Sequence, residues 1–245
     1  MIPKKIHYCW FGRSPLPRSA QKCIDSWKKY MPDYEIIRWD EDSFDVNSTA
    51  YTKMCCDTKK YAYLSDYARL VVVEREGGIY FDTDVEVLRS FDDLLDCAAF
   101  FGFENEKNVA SGLGFGAEAG SIVLKQMIEE YAPLSDGRHG VIGCPKLNTQ
   151  ALKKFGLVQN GQKQYCGDAV VYPIEYFNPK DSATGKLHIT KNTYSIHHYS
   201  MLCIPTWKRR VSKITRVFHR IFGENCFNWL KKLLRKERTT GKNNA

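Results

Sequence analysis

The sequence contains no long apolar run. None of its 245 residues falls in a stretch close to the roughly 20 apolar residues of a membrane-spanning helix. Residues 1–8 have no apolar segment of signal-peptide length. We therefore expect one domain, with or without an appendage, that buries a sizeable core and begins folding in the cytosol.

The cysteines lack the spacing of a metal site or a disulfide framework. There are nine, an odd number, and no Cys-x-x-Cys pair occurs. Cys55 and Cys56 are adjacent, which does not suit chelation. Without a secretory signal, this pattern predicts reduced thiols and argues against a structural zinc site.

The net charge of +8 belongs entirely to the end of the chain. From Trp207 onward, twelve Lys or Arg residues stand against Glu224 and Glu237, whereas the preceding part has 24 basic and 26 acidic residues. The body therefore lacks the basic surface that nucleic-acid binding requires.

Residues 207–238 are predicted to form a basic amphipathic helical tail. Apolar residues recur at helical spacing in 211–222 and again in 227–234, with Lys and Arg between them. Helices of this kind lie in membrane interfaces and are attracted to anionic lipid, which favours membrane contact. Packing of the apolar stripes on the body is an almost equal alternative, RNA binding is a weaker third, and residues 239–245 are expected to be disordered.

The hydrophobic pattern of the remaining chain predicts an α/β fold. Residues 4–11 alternate as a strand, 17–30 have a helical stripe, and 34–39 form a second strand, an order that suggests parallel pairing. The other expected elements are a helix over 57–76 capped by Asp57-Thr58, a turn or short helix at 91–95, strands at 98–104 and 109–115, helices at 121–131 and 146–155, extended pieces at 169–172 and 176–177, and a strand at 193–199. In the helix over 121–131, the apolar residues Ile122, Leu124, Met127 and Ile128 are expected to face inward.

Asp66 and Arg69 lie on the helix face opposite its main apolar stripe. They are three residues apart and are therefore neighbours. Spacing alone favours a surface ion pair that contributes little to stability.

The stretch that follows this helix carries two carboxylates one residue apart. Gly77-Gly78 ends the helix, and Asp82-Thr83-Asp84 comes after a short apolar strand. On an extended backbone both carboxylates would point to one face, where a divalent metal that also holds phosphate oxygens would relieve their repulsion. A simple turn is the alternative, because Asp is common where strands end.

Taken together, these pieces resemble the signature of glycosyltransferases with a sugar-binding Asp-x-Asp region. These are the family 32 enzymes, with the fungal Golgi mannosyltransferases and the clostridial glucosylating toxins. The resemblance spans most of residues 1–207 and rests on these segments: Ser65-Asp66-x-x-Arg69, Gly77-Gly78-x-Tyr80-x-Asp82-x-Asp84, the opening strand 6–12, the bacterial-type segments 26–29 and 32–39, Gly143-Cys144-Pro145, and 172–179.

The resemblance implies a GT-A fold over residues 1–206, a Rossmann-like domain with a mixed sheet flanked by helices. It implies that Trp10 stacks on the donor base and that Asp66 and Arg69 contact the ribose or sugar and the diphosphate. It also implies that Asp82 and Asp84 hold Mn²⁺ or Mg²⁺, with Asp84 as the direct ligand, and that Asp66, Arg69 and Asp84 carry catalysis.

A third metal ligand is expected late in such a chain. His197 and His198 are the candidates, and alternation along a strand would turn one of them to each face. The family tends to have a His shortly before a Trp here, and the eight residues between His198 and Trp207 depart from that spacing. The choice between the two histidines therefore stays open.

The expected function is a metal-dependent transfer of a hexose from a nucleotide-diphosphate sugar, UDP-hexose or GDP-mannose, to a glycan or lipid-linked oligosaccharide. The resemblance suggests retained stereochemistry and a role in bacterial capsule, lipopolysaccharide or exopolysaccharide synthesis. We expect a cytoplasmic protein, peripheral at the inner membrane. The alternatives are a metal-dependent phosphohydrolase and a basic membrane- or RNA-binding adaptor with an inactive body.

Overall fold

The aromatic strand at the start of the chain lies inside a mixed sheet. A computed structural model describes residues 1–200, 206–223 and 226. Its strands are β1 (Lys5–Cys9), β2 (Glu35–Trp39), β3 (Gly78–Tyr80), β4 (Val85–Val87), β5 (Ala99–Asn105), β6 (Asn108–Val109), β7 (Phe115–Ala117), β8 (Gln164–Cys166), β9 (Ala169–Tyr172) and β10 (Ser195–His197). Its α-helices are α1 (Arg18–Tyr30), α2 (Ala50–Asp57), α3 (Tyr61–Glu76), α4 (Ile122–Glu129), α5 (Cys144–Lys153), α6 (Ile174–Phe177) and α7 (Thr206–Phe222).

The main sheet has the strand order β2-β1-β3-β7-β5-β9-β8, and β6 pairs with β5. β1 is parallel to both β2 and β3, and β5 is parallel to β9. β7 is antiparallel to β3 and to β5, so those two strands run in the same direction and end at the same edge. The predicted α/β architecture is confirmed, and this edge collects the loops after β1, β3 and β5.

Apolar side chains fill both faces of the sheet. Leu64, Ala68 and Val72 of α3 belong to the cluster on one face, and Ile24 and Trp27 of α1 belong to the other. The Trp27 indole is fully buried and donates a hydrogen bond of 2.8 Å to the backbone carbonyl of Val85. Core packing therefore fixes the backbone that follows the Asp-x-Asp segment.

His7 ties the start of β3 to its neighbours. The indole Nε1 of Trp39 donates to His7 Nδ1 at 3.1 Å, which leaves Nε2 to donate to the Gly77 carbonyl at 2.8 Å. The His7 carbonyl accepts a hydrogen bond from Phe81 N at 3.0 Å. These partners assign the neutral tautomer with its proton on Nε2. Burial lowers the pKa of His7, in agreement with that form.

The predicted helix over 57–76 is wrong at its beginning. Asp57 ends α2, and Thr49 rather than Asp57-Thr58 is a helix cap, accepting a hydrogen bond from Thr52 N. Lys59 has a φ of 55° between the two helices. The polar composition of residues 45–50 concealed α2, because its stability comes from buried Tyr51 and Cys55 rather than from a long amphipathic stripe.

Three other local predictions are also wrong. Residues 109–115 are not one strand but the end of β6, a 3₁₀ turn at Ser111–Leu113 and the start of β7. Residues 176–177 are helical, in α6, and the strand β8 was not predicted. Ile122 was expected to face inward but is exposed, because it is the first residue of α4 and Val123 is buried instead.

The chain divides into two units. One comprises residues 1–179 and 188–198, and the other comprises 180–187 with the described part of 199–245. Within the second unit, Arg216 Nε donates to Ser182 O at 3.1 Å and Arg220 Nη2 donates to Thr184 O at 3.0 Å. The limits of the tail, at residues 207 and 238, stay predictions. The amphipathic segment 227–234 and residues 239–245 lie outside the described residues.

Candidate active site

Two glycines join the helix α3 to the strand that precedes the carboxylates. Gly77 has a φ of 63° and Gly78 a φ of 118°, a region that favours glycine. A Cβ on Gly78 would lie 2.8 Å from the Lys5 carbonyl oxygen in the neighbouring strand. The chain can therefore turn directly from α3 into β3, which brings Asp82 back beside Arg69.

The Asp-x-Asp segment is a turn rather than an extended strand. Thr83 and Asp84 lie in the turn between β3 and β4, which is closed by a hydrogen bond of 3.0 Å from Val85 N to Asp82 O. Of the two interpretations that the sequence left open, the turn is therefore correct and the extended backbone is not. The two carboxylates nevertheless converge, because the turn folds Asp84 back toward the side chain of Asp82.

Arg69 is the centre of a buried polar network. Its Nη2 lies 2.6 Å from Asp66 Oδ1 and 3.3 Å from Asp82 Oδ1, and its side chain is 3% exposed. Its Nε donates to Ser65 O at 3.0 Å, and its guanidinium lies 5.0 Å from the centre of the Tyr80 ring. The surface ion pair expected from spacing is therefore wrong, because β1 and β3 pack on one side of α3 and other helices cover the rest.

Opposing charges keep this buried network ionic. Burial by itself would lower the pKa of Arg69, but Asp82, Tyr80 and Asp66 outweigh it and hold the pKa well above its usual value. Burial raises the pKa of Asp66, and Arg69 and two hydrogen bonds from Cys144 oppose that rise. Cys144 is the first residue of α5, so the positive end of that helix faces the carboxylate.

Asp82 belongs to two groups of residues at once. Its Oδ1 accepts a hydrogen bond of 3.0 Å from the Tyr80 hydroxyl in addition to its contact with Arg69. Burial raises its pKa, Arg69 opposes that rise, and Asp84 adds to it. Asp82 thus links the arginine network to the second carboxylate.

Asp82, Asp84 and His197 form a group with the donor set of a divalent metal site. They offer ligand atoms that all lie within 4.8 Å of one another, the one such group in the described part of the chain. His197 Nε2 lies 3.2 Å from Asp84 Oδ1. Two carboxylates and one imidazole suit Mn²⁺ or Mg²⁺ and leave coordination positions for phosphate oxygens. These residues therefore fit the expected metal.

The strand β10 brings a distant histidine to this group. β10 pairs antiparallel with β4, with His197 opposite Val85. Burial would lower the pKa of His197, but Asp84 reverses the effect and raises it. The ring of His198 lies elsewhere, with its Nε2 2.7 Å from Glu86 Oε2. Of the two histidines that the sequence left open, the structure thus places His197 beside the carboxylates.

Trp10 follows β1 at the same edge of the sheet. It is half-buried, its backbone N donates to Trp39 O at 2.8 Å, and its Nε1 donates to Ser14 O at 2.6 Å. These bonds fix the indole at the start of the loop after β1. Its stacking on a donor base stays a prediction.

The residues that close the site from β6 and the turn after it were not indicated by the sequence. Ser111 lies 3.5 Å from Arg69 through its Oγ. A Cβ on Gly112 would lie 2.5 Å from Asp82 Oδ2 and 3.0 Å from Arg69 Nη1. Only a glycine lets the backbone approach these groups so closely. The glycine-rich segment around Gly112 was the sequence signal for this close approach, but the pattern of residues 109–115 predicts a strand instead.

Comparisons with known proteins agree with this site. The model of the glycosyltransferase sugar-binding region containing the DXD motif matches residues 17–101. An uncharacterized glycosyltransferase of Acanthamoeba polyphaga mimivirus is 30% identical over 115 residues, 44% of this chain and 46% of that protein. Inositol phosphoceramide mannosyltransferase 3 of Schizosaccharomyces pombe is 30% identical over 146 residues, 56% of this chain and 39% of that protein. The chain thus spans less than half the length of these relatives.

The fold has a counterpart among solved structures. The PaToxG glycosyltransferase superposes with a TM-score of 0.51 at 20% identity, over 62% of this chain and 69% of its own. At this identity the likeness concerns the fold alone. Residues 17–101 match the DXD-containing sugar-binding region of glycosyltransferases, and the fold of the chain is of the GT-A type.

Proposed function

We propose that this protein is a metal-dependent glycosyltransferase, which moves a hexose from UDP-hexose or GDP-mannose to a glycan acceptor. The observation that carries the proposal is the position of Asp82. One of its oxygens contacts Arg69, while its carboxylate also belongs to the group with Asp84 and His197. A cation and a metal-type donor set therefore meet at one carboxylate, as binding a diphosphate requires.

Each residue has a role in this proposal. Asp82, Asp84 and His197 would hold Mn²⁺ or Mg²⁺, which when bound stabilises the negative charge of the diphosphate leaving group. Arg69 adds a second positive charge, held in place by Ser65 O and by Asp66. Asp66 retains lone pairs that can accept sugar hydroxyl groups.

This arrangement suits glycosyl transfer because the leaving diphosphate needs charge stabilisation rather than a protein acid. A phosphohydrolase would also use paired carboxylates and a metal, but it would release phosphate without an acceptor. An adaptor with an inactive body would keep its function when both Asp residues of the turn become Asn. We further propose that the anomeric configuration is retained, on the ground of the sequence resemblance.

We also propose that the acceptor is lipid-linked, in bacterial capsule, lipopolysaccharide or exopolysaccharide synthesis, and that the protein is peripheral at the cytoplasmic face of the inner membrane. The helix α7 supports this with a set of exposed apolar residues. They are Val211, Ile214, Val217, Phe218, Ile221 and Phe222. The helix contains no acidic residue, so its charge complements anionic lipid. None of the described helices is long and apolar enough to cross a bilayer.

Donor binding tests the enzymatic proposal. UDP-glucose, UDP-galactose and GDP-mannose are titrated calorimetrically into the protein with Mn²⁺ and, separately, with EDTA. We expect binding of at least one donor that depends on the metal and is lost in His197→Ala. His198→Ala is the matched control and should keep this binding, because its ring contacts Glu86 instead. Absence of metal-dependent binding for every donor would refute the proposal.

Vesicle binding tests the proposed location. Ile221→Gln/Phe222→Gln in the full chain should reduce sedimentation with phosphatidylglycerol vesicles, because it removes two of the exposed apolar side chains of α7. Donor binding should not change. Equal sedimentation of wild type with phosphatidylglycerol and with phosphatidylcholine vesicles would contradict an electrostatic contribution of the basic face.

A further inference from the structure

Glu104 occupies an irregular position in the strand β5. In the pairing of β5 with β6, Phe103 lies opposite Val109 and Asn105 lies opposite Asn108, so Glu104 has no partner of its own. Such an extra residue is a β-bulge, which bends the strand and redirects a side chain, and bulges are over-represented next to active sites.

The backbone around the bulge is held in place from two sides. Asn178 Nδ2 donates to the Glu104 carbonyl at 2.8 Å, and Ala110 N donates to Gly102 O at 3.3 Å. The next residues along this hairpin are Ser111 and Gly112, which adjoin Arg69 and Asp82. β5 also ends at the same edge of the sheet as β3. The bulge therefore lies on the segment that closes the candidate site.

The carboxylate of Glu104 differs from the others at this edge. It is half-buried, yet it makes no hydrogen bond or ion pair with any described residue. Burial raises its pKa, His197 opposes that rise and Asp66 adds to it. The charge of Glu104 therefore interacts both with the group of Asp82, Asp84 and His197 and with the arginine network. A partly desolvated carboxylate without a partner costs stability, and such groups cluster at functional sites.

We propose that Glu104 is a further catalytic carboxylate, which contacts the transferred hexose beside its anomeric carbon and stabilises the positive charge that develops there. This inference rests on the function proposed above. Asp66 and Asp82 are both paired with Arg69, and Asp84 contacts His197. Of the carboxylates near the site, Glu104 therefore remains to balance the positive charge that develops on the sugar. Preorganised charge of this kind is a major contribution to catalysis.

The step balances without a bond to Glu104. The bond between the anomeric carbon and the diphosphate oxygen breaks, and its electron pair stays on the diphosphate. The acceptor hydroxyl oxygen forms the new bond to the anomeric carbon, and its proton passes to the departing diphosphate oxygen. Glu104 keeps its charge throughout and provides only electrostatic stabilisation.

The test compares Glu104→Gln with Glu106→Gln, an exposed glutamate two residues further along the same hairpin. Nucleotide release from UDP-glucose, UDP-galactose and GDP-mannose is followed with Mn²⁺, and the affinity for UDP and GDP is measured separately. We expect Glu104→Gln to lower kcat by about 100-fold and to leave nucleotide affinity unchanged. Glu106→Gln should behave as wild type in both measurements.

Thermal unfolding separates a catalytic role from a structural one. Because Glu104 is a half-buried carboxylate without a partner, Glu104→Gln should unfold at the same temperature as wild type or higher. A lowered unfolding temperature, or a kcat within about threefold of an active wild type, would overturn the inference while the proposed function stands. If wild type releases nucleotide from none of the donors, the proposed function fails and the inference fails with it.

Discussion

Removal of the Arg69 guanidinium should destabilise the protein strongly. Arg69→Met keeps the apolar part of the side chain but leaves the buried Asp66 and the partly buried Asp82 without their cation. The guanidinium lies 2.6 Å from Asp66 and 3.3 Å from Asp82, on a side chain that is 3% exposed. Breaking a buried ion pair by removing one partner costs about 3–5 kcal/mol, because the remaining charge is uncompensated.

This loss is large beside the total stability of about 5–15 kcal/mol that is typical of a folded domain. With a urea dependence of about 2–3 kcal/mol per molar, it should lower the unfolding midpoint by roughly 1–2.5 M. The measurement is urea unfolding followed by circular dichroism with EDTA present, so that no bound metal compensates Asp82. The deficit should shrink in acid, because a stranded carboxyl with a raised folded-state pKa takes up a proton there.

The matched control is Lys53→Met in α2. Lys53 pairs with Asp57 at 3.1 Å, but both side chains are more than half exposed. Its loss should cost no more than about 0.5 kcal/mol. In Arg69→Met/Asp66→Asn, one stranded charge is neutral, so part of the lost stability should return. A cost for Arg69→Met below about 1 kcal/mol, or equal to that of Lys53→Met, would refute a buried network.

Three other perturbations have defined outcomes. Gly112→Ala should lower kcat/KM for nucleotide release by about 100-fold, because the added Cβ displaces Asp82 and Arg69. Gly143→Ala is the control and should not lower it, because its Cβ would meet nothing nearer than 3.7 Å. Asp84→Asn should weaken Mn²⁺-dependent donor binding more than Asp82→Asn in calorimetry, and the opposite order would contradict Asp84 as the direct ligand. The free energy of unfolding of the wild type, measured by urea unfolding, should fall as the pH drops below about 6.5, because the unfolded chain frees the His7 ring to take up a proton. This pH dependence should be weaker in His7→Gln.

The parts of the fold that the sequence predicted are those with a strong local pattern. The strand β1, the helix α1 and the strand β2 were found within one or two residues, and their parallel pairing followed from their order. α2 was missed because it has only eight residues and is stabilised by burial. The turn Ser111–Leu113 was predicted as a strand, because the sequence does not show why a glycine is needed there. Gly112 lets the backbone approach Asp82 closely, and only the tertiary structure shows that contact.

The candidate site divides in the same way. Asp66, Arg69, Asp82 and Asp84 lie within twenty residues of one another, so one motif indicated all four. The burial of Arg69 could not be predicted, because the face opposite the apolar stripe of α3 is covered by elements that come much later in the chain. Glu104 carried no sequence signal at all, since its position depends on the register between β5 and β6.

The Asp-x-Asp segment shows why its two sequence interpretations were not true alternatives. The hydrogen bond from Val85 N to Asp82 O makes it a turn, as Asp at a strand end predicts. The same turn starts β4 at Val85, and the pairing of β4 with β10 places His197 beside Asp84. A straight strand would have sent both carboxylates to one face, but it would have carried Val85 away from the position that aligns β10. The turn therefore brings Asp82, Asp84 and His197 together, because it starts the strand β4, which pairs with the strand that carries His197. His197 comes more than one hundred residues later in the chain.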